Sequence, residues 1–64
     1  MPPTKSVRQR EKELQALLAT PAGRKELEEL ESRYQEASGR PKPGRTSTIT
    51  YLLVYERERG LISG

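Results

Sequence analysis

The 64-residue chain contains no cysteine and no histidine. Neither a disulfide nor the usual thiolate and imidazole ligands of a structural zinc site can therefore hold so short a fold together. A domain of this size hides only about 60% of the surface that its unfolded chain exposes, so its own core stabilises it weakly. We expect a single small domain over residues 1–64 that gains further stability by pairing into a homodimer.

Phenylalanine and tryptophan are also absent, and no apolar run approaches the roughly 18 residues that a membrane-spanning helix needs. The amino-terminal residues carry no apolar segment typical of a secretory signal, so we expect a cytoplasmic protein without membrane contact. Hydrophobic residues make up 31% of the chain and charged residues 33%, which is close to the limit at which a chain still orders itself. We expect a folded core preceded by disorder over residues 1–5.

The sequence offers no constellation for catalysis. Without histidine and cysteine, the usual general base and thiol nucleophile are missing. Glutamates cluster at residues 26–31 in a pattern typical of a solvated helix face, and no aspartate is available to complete a magnesium site with Glu28 and Glu31. We predict that the protein is not an enzyme and binds no metal, cofactor or small-molecule substrate.

Apolar spacing predicts two helices in the first part of the chain. The first covers about residues 6–19, and the second covers residues 21–38, starting at the Thr20-Pro21 signal and ending at Gly39 in a left-handed cap. The apolar residues of these two helices recur at helical intervals: Val7, Leu14, Leu17, Leu18, Leu27, Leu30, Tyr34 and Ala37. The short junction fits either an antiparallel hairpin or a kink at Pro21.

The last segment, TSTITYLLVYERERGLI, admits two interpretations. Its threonines, Val54 and tyrosines favour a strand at about residues 46–55, which would follow a helical hairpin and pair in a dimer. We favour a third helix at about residues 47–59 and hence an all-α fold, because Ile49, Leu52, Leu53 and Glu56 follow the spacing of one buried face. The opposite side would then present an interface between two copies, formed by Tyr51, Val54 and Tyr55.

Basic residues fall into two clusters. One lies near the amino terminus, and the other lies in a proline-broken and glycine-broken loop at residues 39–46. Such clusters bind phosphate backbones, although they also serve simply to keep a small protein in solution. The candidate phosphate contacts are Arg40, Lys42 and Arg45 in the loop and Arg8, Arg10 and Lys12 in the first helix. Thr46, Ser47 and Thr48 would add hydroxyl and backbone N–H contacts at a helix start.

Two short segments resemble known nucleic-acid-binding elements. Residues 46–63 resemble the recognition-helix end of winged helix-turn-helix regulators, with Ser47 or Thr48 as the cap, Leu52 and Leu53 facing the core, and ERGLI at residues 58–62 as the closing turn. Residues 39–42, GRPK, are similar to the core of an AT-hook, although Ser38 stands where that motif has arginine. The first resemblance implies that the second helix precedes a recognition helix.

These observations lead to one functional hypothesis and one alternative. The hypothesis is a small helix-turn-helix-like nucleic-acid-binding or regulatory module that holds the DNA or RNA backbone with its basic loop. The alternative is a protein-interaction or self-assembly module that binds no nucleic acid. The two differ in what the loop contacts.

Overall fold

Three helices form the fold of the protein, in a computed structural model that describes residues 4–64. They are α1 (Val7–Leu17), α2 (Pro21–Ser38) and α3 (Thr48–Glu58). The predicted all-α fold is confirmed, and each helix end lies within two residues of its predicted position. The alternative strand does not form, since the chain is helical from Thr48 to Glu58 and residues 4–64 contain only one isolated bridge and no strand.

A hydroxyl caps the start of every helix. Ser6, Thr20 and Ser47 each accept a hydrogen bond from the backbone N–H three residues later, which satisfies one of the donors that a helix start leaves unpaired. Gly39 ends α2 as predicted, at φ 70°, with its N–H bonded to the carbonyl of Gln35 at 2.9 Å. A left-handed conformation at the end of a helix favours glycine, because glycine has no Cβ atom to clash with the backbone.

Helices α1 and α2 approach each other closely at Gly23. A Cβ atom at this position would lie 2.1 Å from the carbonyl oxygen of Leu17, a backbone atom that cannot move aside cheaply. The break at residues 18–20 therefore returns the chain directly onto α1. Leu18, which the sequence placed on the apolar stripe of the first helix, is 44% exposed because α1 ends one residue earlier.

The core lies where the three helices meet. All four α3 residues that the spacing predicted to face inward are buried, including the carboxylate residue Glu56. Ile62 closes the core from beyond the end of α3. The buried apolar residues are Leu14, Leu27, Ile49, Leu52, Leu53 and Ile62.

The two ends of the described chain lie side by side. The backbone N–H of Val7 donates to Ser63 at 2.8 Å, and the N–H of Ser63 donates to Lys5 at 2.9 Å. Residues 1–3, where most of the predicted amino-terminal disorder falls, lie outside the described residues. The bridge ties the chain after α3 to the start of α1 and so fixes the position of Ile62.

Candidate nucleic-acid interface

The positive charge of the chain is concentrated in one part of the fold. Over residues 1–38, seven basic and seven acidic residues cancel, whereas residues 39–64 hold five basic and two acidic residues. The whole net charge of +3 therefore falls on the loop, on α3 and on the residues after it. This surface is the candidate interface. The positions of its side chains depend on the contacts that hold α3 against α1 and α2.

A buried polar cluster holds α3 against both other helices. Arg10 on α1 donates from Nε to Glu56 Oε1 at 2.9 Å and from Nη2 to Glu56 Oε2 at 3.3 Å. The Tyr34 hydroxyl on α2 donates to Glu56 Oε2 at 3.2 Å. The Glu56 side chain is 5% exposed, so its charge is neutralised inside the protein and does not reach the surface. One carboxylate thereby connects all three helices.

The same cluster shifts two pKa values. Burial opposes the charge of Arg10, but its hydrogen bonds to Glu56 and Glu13 outweigh that effect and raise the pKa of Arg10 above its ordinary value. Burial raises the pKa of the Tyr34 hydroxyl, and the charge of Glu56 and the hydrogen bond to it raise that pKa further. Arg10 therefore stays charged, and its guanidinium is paired with Glu56 and Glu13 within the fold.

An aromatic stack fixes the outer edge of α3. The rings of Tyr34 and Tyr55 are nearly parallel, at an angle of 11° and a centroid distance of 4.2 Å. The guanidinium of Arg59 lies over the Tyr55 ring, 4.9 Å from its centroid. Tyr55 is thus half-buried within one copy of the chain.

Hydrogen bonds within the basic loop give it a defined path. The ammonium of Lys42 donates to the carbonyl of Thr46 at 2.6 Å, and the N–H of Thr46 donates to the carbonyl of Pro43 at 3.0 Å. At the other end, the N–H of Arg40 donates to the Ser38 hydroxyl at 3.3 Å. Lys42 therefore acts first as a brace between loop carbonyls, which leaves its ammonium less open to a phosphate.

The hydroxyls at the start of α3 are also committed to the fold. Ser47 caps the helix and donates to the Thr50 hydroxyl at 2.8 Å. Thr48 donates to Glu31 on α2 at 3.0 Å, which anchors the helix start. Only Thr46 among the three predicted hydroxyl contacts makes no side-chain hydrogen bond within the part of the chain that the structure describes.

The candidate basic residues divide into two groups. Arg10 and Lys42 are engaged inside the fold, whereas the other four are exposed and make no side-chain hydrogen bond or ion pair to residues 4–64: Arg8, Lys12, Arg40 and Arg45. Arg40 and Arg45 lie in the loop beside α3, and Arg8 and Lys12 lie on α1. The exposed side of α3 adds two residues that the sequence reasoning did not single out, Thr50 and Arg57. The spacing of seven between them, which places both on one side of α3 next to the buried face, was the signal that could have found them.

A groove runs between the loop and α3. It has a volume of about 180 Å³ and is mostly apolar, with prolines on the loop side and tyrosines on the helix side. Val54 is 49% exposed at its edge, and the hydroxyl of Tyr51 is buried without a hydrogen-bond partner in residues 4–64. All three residues predicted as an interface between copies therefore line this groove. Its lining residues are Ser38, Arg40, Pro41, Pro43, Tyr51, Val54, Tyr55 and Glu58.

Comparison with known proteins adds no relative to this description. No protein-family model, curated protein or solved structure matches the chain. None of the helices in residues 4–64 has the length and apolar character needed to cross a membrane. The same residues contain no group of three or more acidic side chains placed to hold a metal ion together.

Proposed function

We propose that the protein is a small nucleic-acid-binding module, in which the basic loop and the exposed side of α3 bind the phosphate backbone. Arg40 and Arg45 contact phosphates from the loop, and Arg57 contacts them from the helix. Lys42 and Ser47 keep the loop and the helix start in position. Arg8 and Lys12 extend the contact along α1 for longer strands.

The observation that carries this proposal is the placement of charge. Residues 39–64 hold seven charged residues, of which five are basic. One of the two carboxylates, Glu56, is paired internally with Arg10, so five of the six remaining charges are positive. Glu58 is then the only carboxylate on this surface whose charge no partner among the described residues offsets. An arginine-rich surface with so few carboxylates attracts phosphates, and it does so more strongly as the salt concentration falls.

The resemblance to winged helix-turn-helix regulators supports assigning α3 to the contact. In that arrangement the third helix presents its exposed side to the nucleic acid. Here the exposed positions are Thr50, Val54, Arg57 and Glu58, whereas Tyr51 and Tyr55 are turned toward the loop and α2. The helix therefore offers one hydroxyl, one apolar side chain and one guanidinium to a groove or a strand, beside one carboxylate.

A pair of charge-matched variants tests the proposal. Arg40→Ala/Arg45→Ala removes two positive charges from the interface, and Arg24→Ala/Lys25→Ala removes two from exposed positions of α2. Binding of a labelled duplex and a labelled single strand is measured by fluorescence anisotropy at about 50 mM salt. We expect the loop variant to lose most of the affinity and the α2 variant to lose little.

Circular dichroism on both variants verifies that each keeps its helices. Equal losses from the two variants would mean that only net charge matters, and this would contradict a defined interface. No binding by the unmodified protein at low salt would refute the proposal as a whole. In that case, a mass that doubles with concentration in sedimentation would support the self-assembly alternative.

A further inference from the structure

The groove between the loop and α3 differs chemically from the phosphate-binding surface around it. Its walls are Pro41 and Pro43 on one side and Tyr51 and Val54 on the other, whereas Arg40 and Glu58 supply opposite charges among its lining. A phosphate gains nothing from apolar walls, and it is repelled by the carboxylate of Glu58. The groove therefore suits a part of the ligand other than its phosphates, one with apolar surface.

We propose that this groove accepts one unstacked nucleobase of a single strand whose phosphates lie on Arg40 and Arg45. This inference rests on the proposed function and names the part of the nucleic acid that the site distinguishes. A nucleobase has apolar faces and polar edges, which matches a mostly apolar groove of about 180 Å³ with a few polar groups. In a duplex a base must first be unpaired and unstacked, so a single-stranded segment supplies one at lower cost.

The groove exists before any ligand binds. The prolines hold their backbone φ angles, and the brace from Lys42 to Thr46 fixes the path of the loop that carries them. On the other wall, stacking on Tyr34 fixes the Tyr55 ring. Because the groove is already formed, the loop loses little conformational entropy on binding, and a base can enter without a rearrangement of the loop.

Glu58 gives the groove a preference among bases. The carboxylate is exposed, makes no ion pair with the described residues and can only accept hydrogen bonds when ionised. It therefore favours a base that presents N–H donors, and guanine presents neighbouring N–H donors on its Watson–Crick edge. The buried hydroxyl of Tyr51 is a further unpaired polar group in the lining of the same groove.

The test separates the base from the phosphate. A single strand of about twelve nucleotides is compared with an abasic strand of the same length and charge. We expect the strand with bases to bind about tenfold more tightly, within the range seen when one base is contacted by aromatic side chains. Equal binding of both strands would overturn the groove inference and leave the phosphate interface standing. Loss of binding by both would remove the interface and the inference together.

A second measurement locates the base and its edge. Guanosine monophosphate and ribose 5-phosphate are titrated separately while the ring protons of Tyr51 and Tyr55 are followed by NMR. We expect only the nucleotide to shift these signals, and Glu58→Gln to weaken that response at least severalfold. Glu36→Gln, which removes a carboxylate from an exposed position of α2, is the matched control and should leave the response unchanged.

Two results would overturn the assignment. If Glu58→Gln strengthened binding of every ligand equally, the carboxylate would act only by repelling phosphate and not by accepting from a base. If the tyrosine signals shifted with protein concentration and with neither ligand, a second copy of the chain would occupy the groove.

Discussion

Arg10 and Glu56 lie 46 residues apart in the chain and meet in the interior through two hydrogen bonds, at 2.9 and 3.3 Å. The pair determines which charges the surface keeps. It removes one arginine from the basic amino-terminal cluster and one carboxylate from α3. The proposed interface on the loop and α3 is more positive as a result, and the pair links α3 directly to α1.

Breaking this pair from the arginine side should destabilise the fold strongly. Arg10→Met keeps an aliphatic side chain of similar length but leaves the buried Glu56 carboxylate with only the Tyr34 hydroxyl as a partner. Removing one member of a buried ion pair costs about 3 kcal/mol or more, and we expect a loss of that order in the free energy of unfolding. Chemical denaturation followed by circular dichroism measures it.

The double variant Arg10→Met/Glu56→Leu provides the control. Replacing both charges with apolar groups removes the unpaired carboxylate, so most of the lost stability should return. A double variant no more stable than Arg10→Met alone would show that the loss comes from the aliphatic packing of Arg10 and not from the pair.

Gly23 should tolerate no side chain. In an exposed helix interior, alanine is about 1 kcal/mol more favourable than glycine, but here a Cβ would meet the Leu17 carbonyl at 2.1 Å. We expect Gly23→Ala to lower the free energy of unfolding by about 2 kcal/mol, since α1 and α2 must move apart. Gly44→Ala is the comparison, because nothing lies within 4 Å of a Cβ there. A stabilised Gly23→Ala protein would mean that α1 and α2 do not approach as described.

Tyr34 should make the stability sensitive to alkaline pH. Its pKa is raised in the folded state above the ordinary value of 10.0, first by burial and then by the charge of Glu56. The neutral hydroxyl therefore favours the folded state fully below about pH 10, and this contribution is lost as the pH rises through the raised pKa. We expect the difference in unfolding free energy between the native protein and Tyr34→Phe to shrink over that window. A difference that stays constant between about pH 9 and pH 11 would contradict a raised pKa for Tyr34 in the folded protein.

The helices were predictable because their signals are local. Hydroxyl caps at Thr20 and Ser47, the glycine stop at residue 39 and the spacing of the apolar residues each act within a turn or two of the helix they define. The buried position of Glu56 followed from the same spacing. These features depend on residues close together in the sequence and not on tertiary contacts.

The roles of the charged residues were not predictable in the same way. Nothing in the sequence near Arg10 indicates that its partner is Glu56, since the pairing depends on how three helices pack. Lys42, which is predicted to contact phosphate, donates to the Thr46 carbonyl at 2.6 Å, and the sequence did not indicate that hydrogen bond. Tyr55 stacks on Tyr34 of a different helix, and its spacing along α3 did not indicate that contact. Each of these contacts is tertiary and leaves no periodic signal.

The salt dependence of nucleic-acid binding is the sharpest test of phosphate contact at the loop and α3. If Arg40, Arg45 and Arg57 neutralise about three phosphates, the logarithm of the binding constant for a single strand should fall with the logarithm of salt concentration at a slope of about −2. Arg45→Ala should make that slope less steep by about 0.7, and Arg24→Ala should leave it unchanged. A slope near zero, or equal changes from both variants, would contradict phosphate binding at the loop and α3.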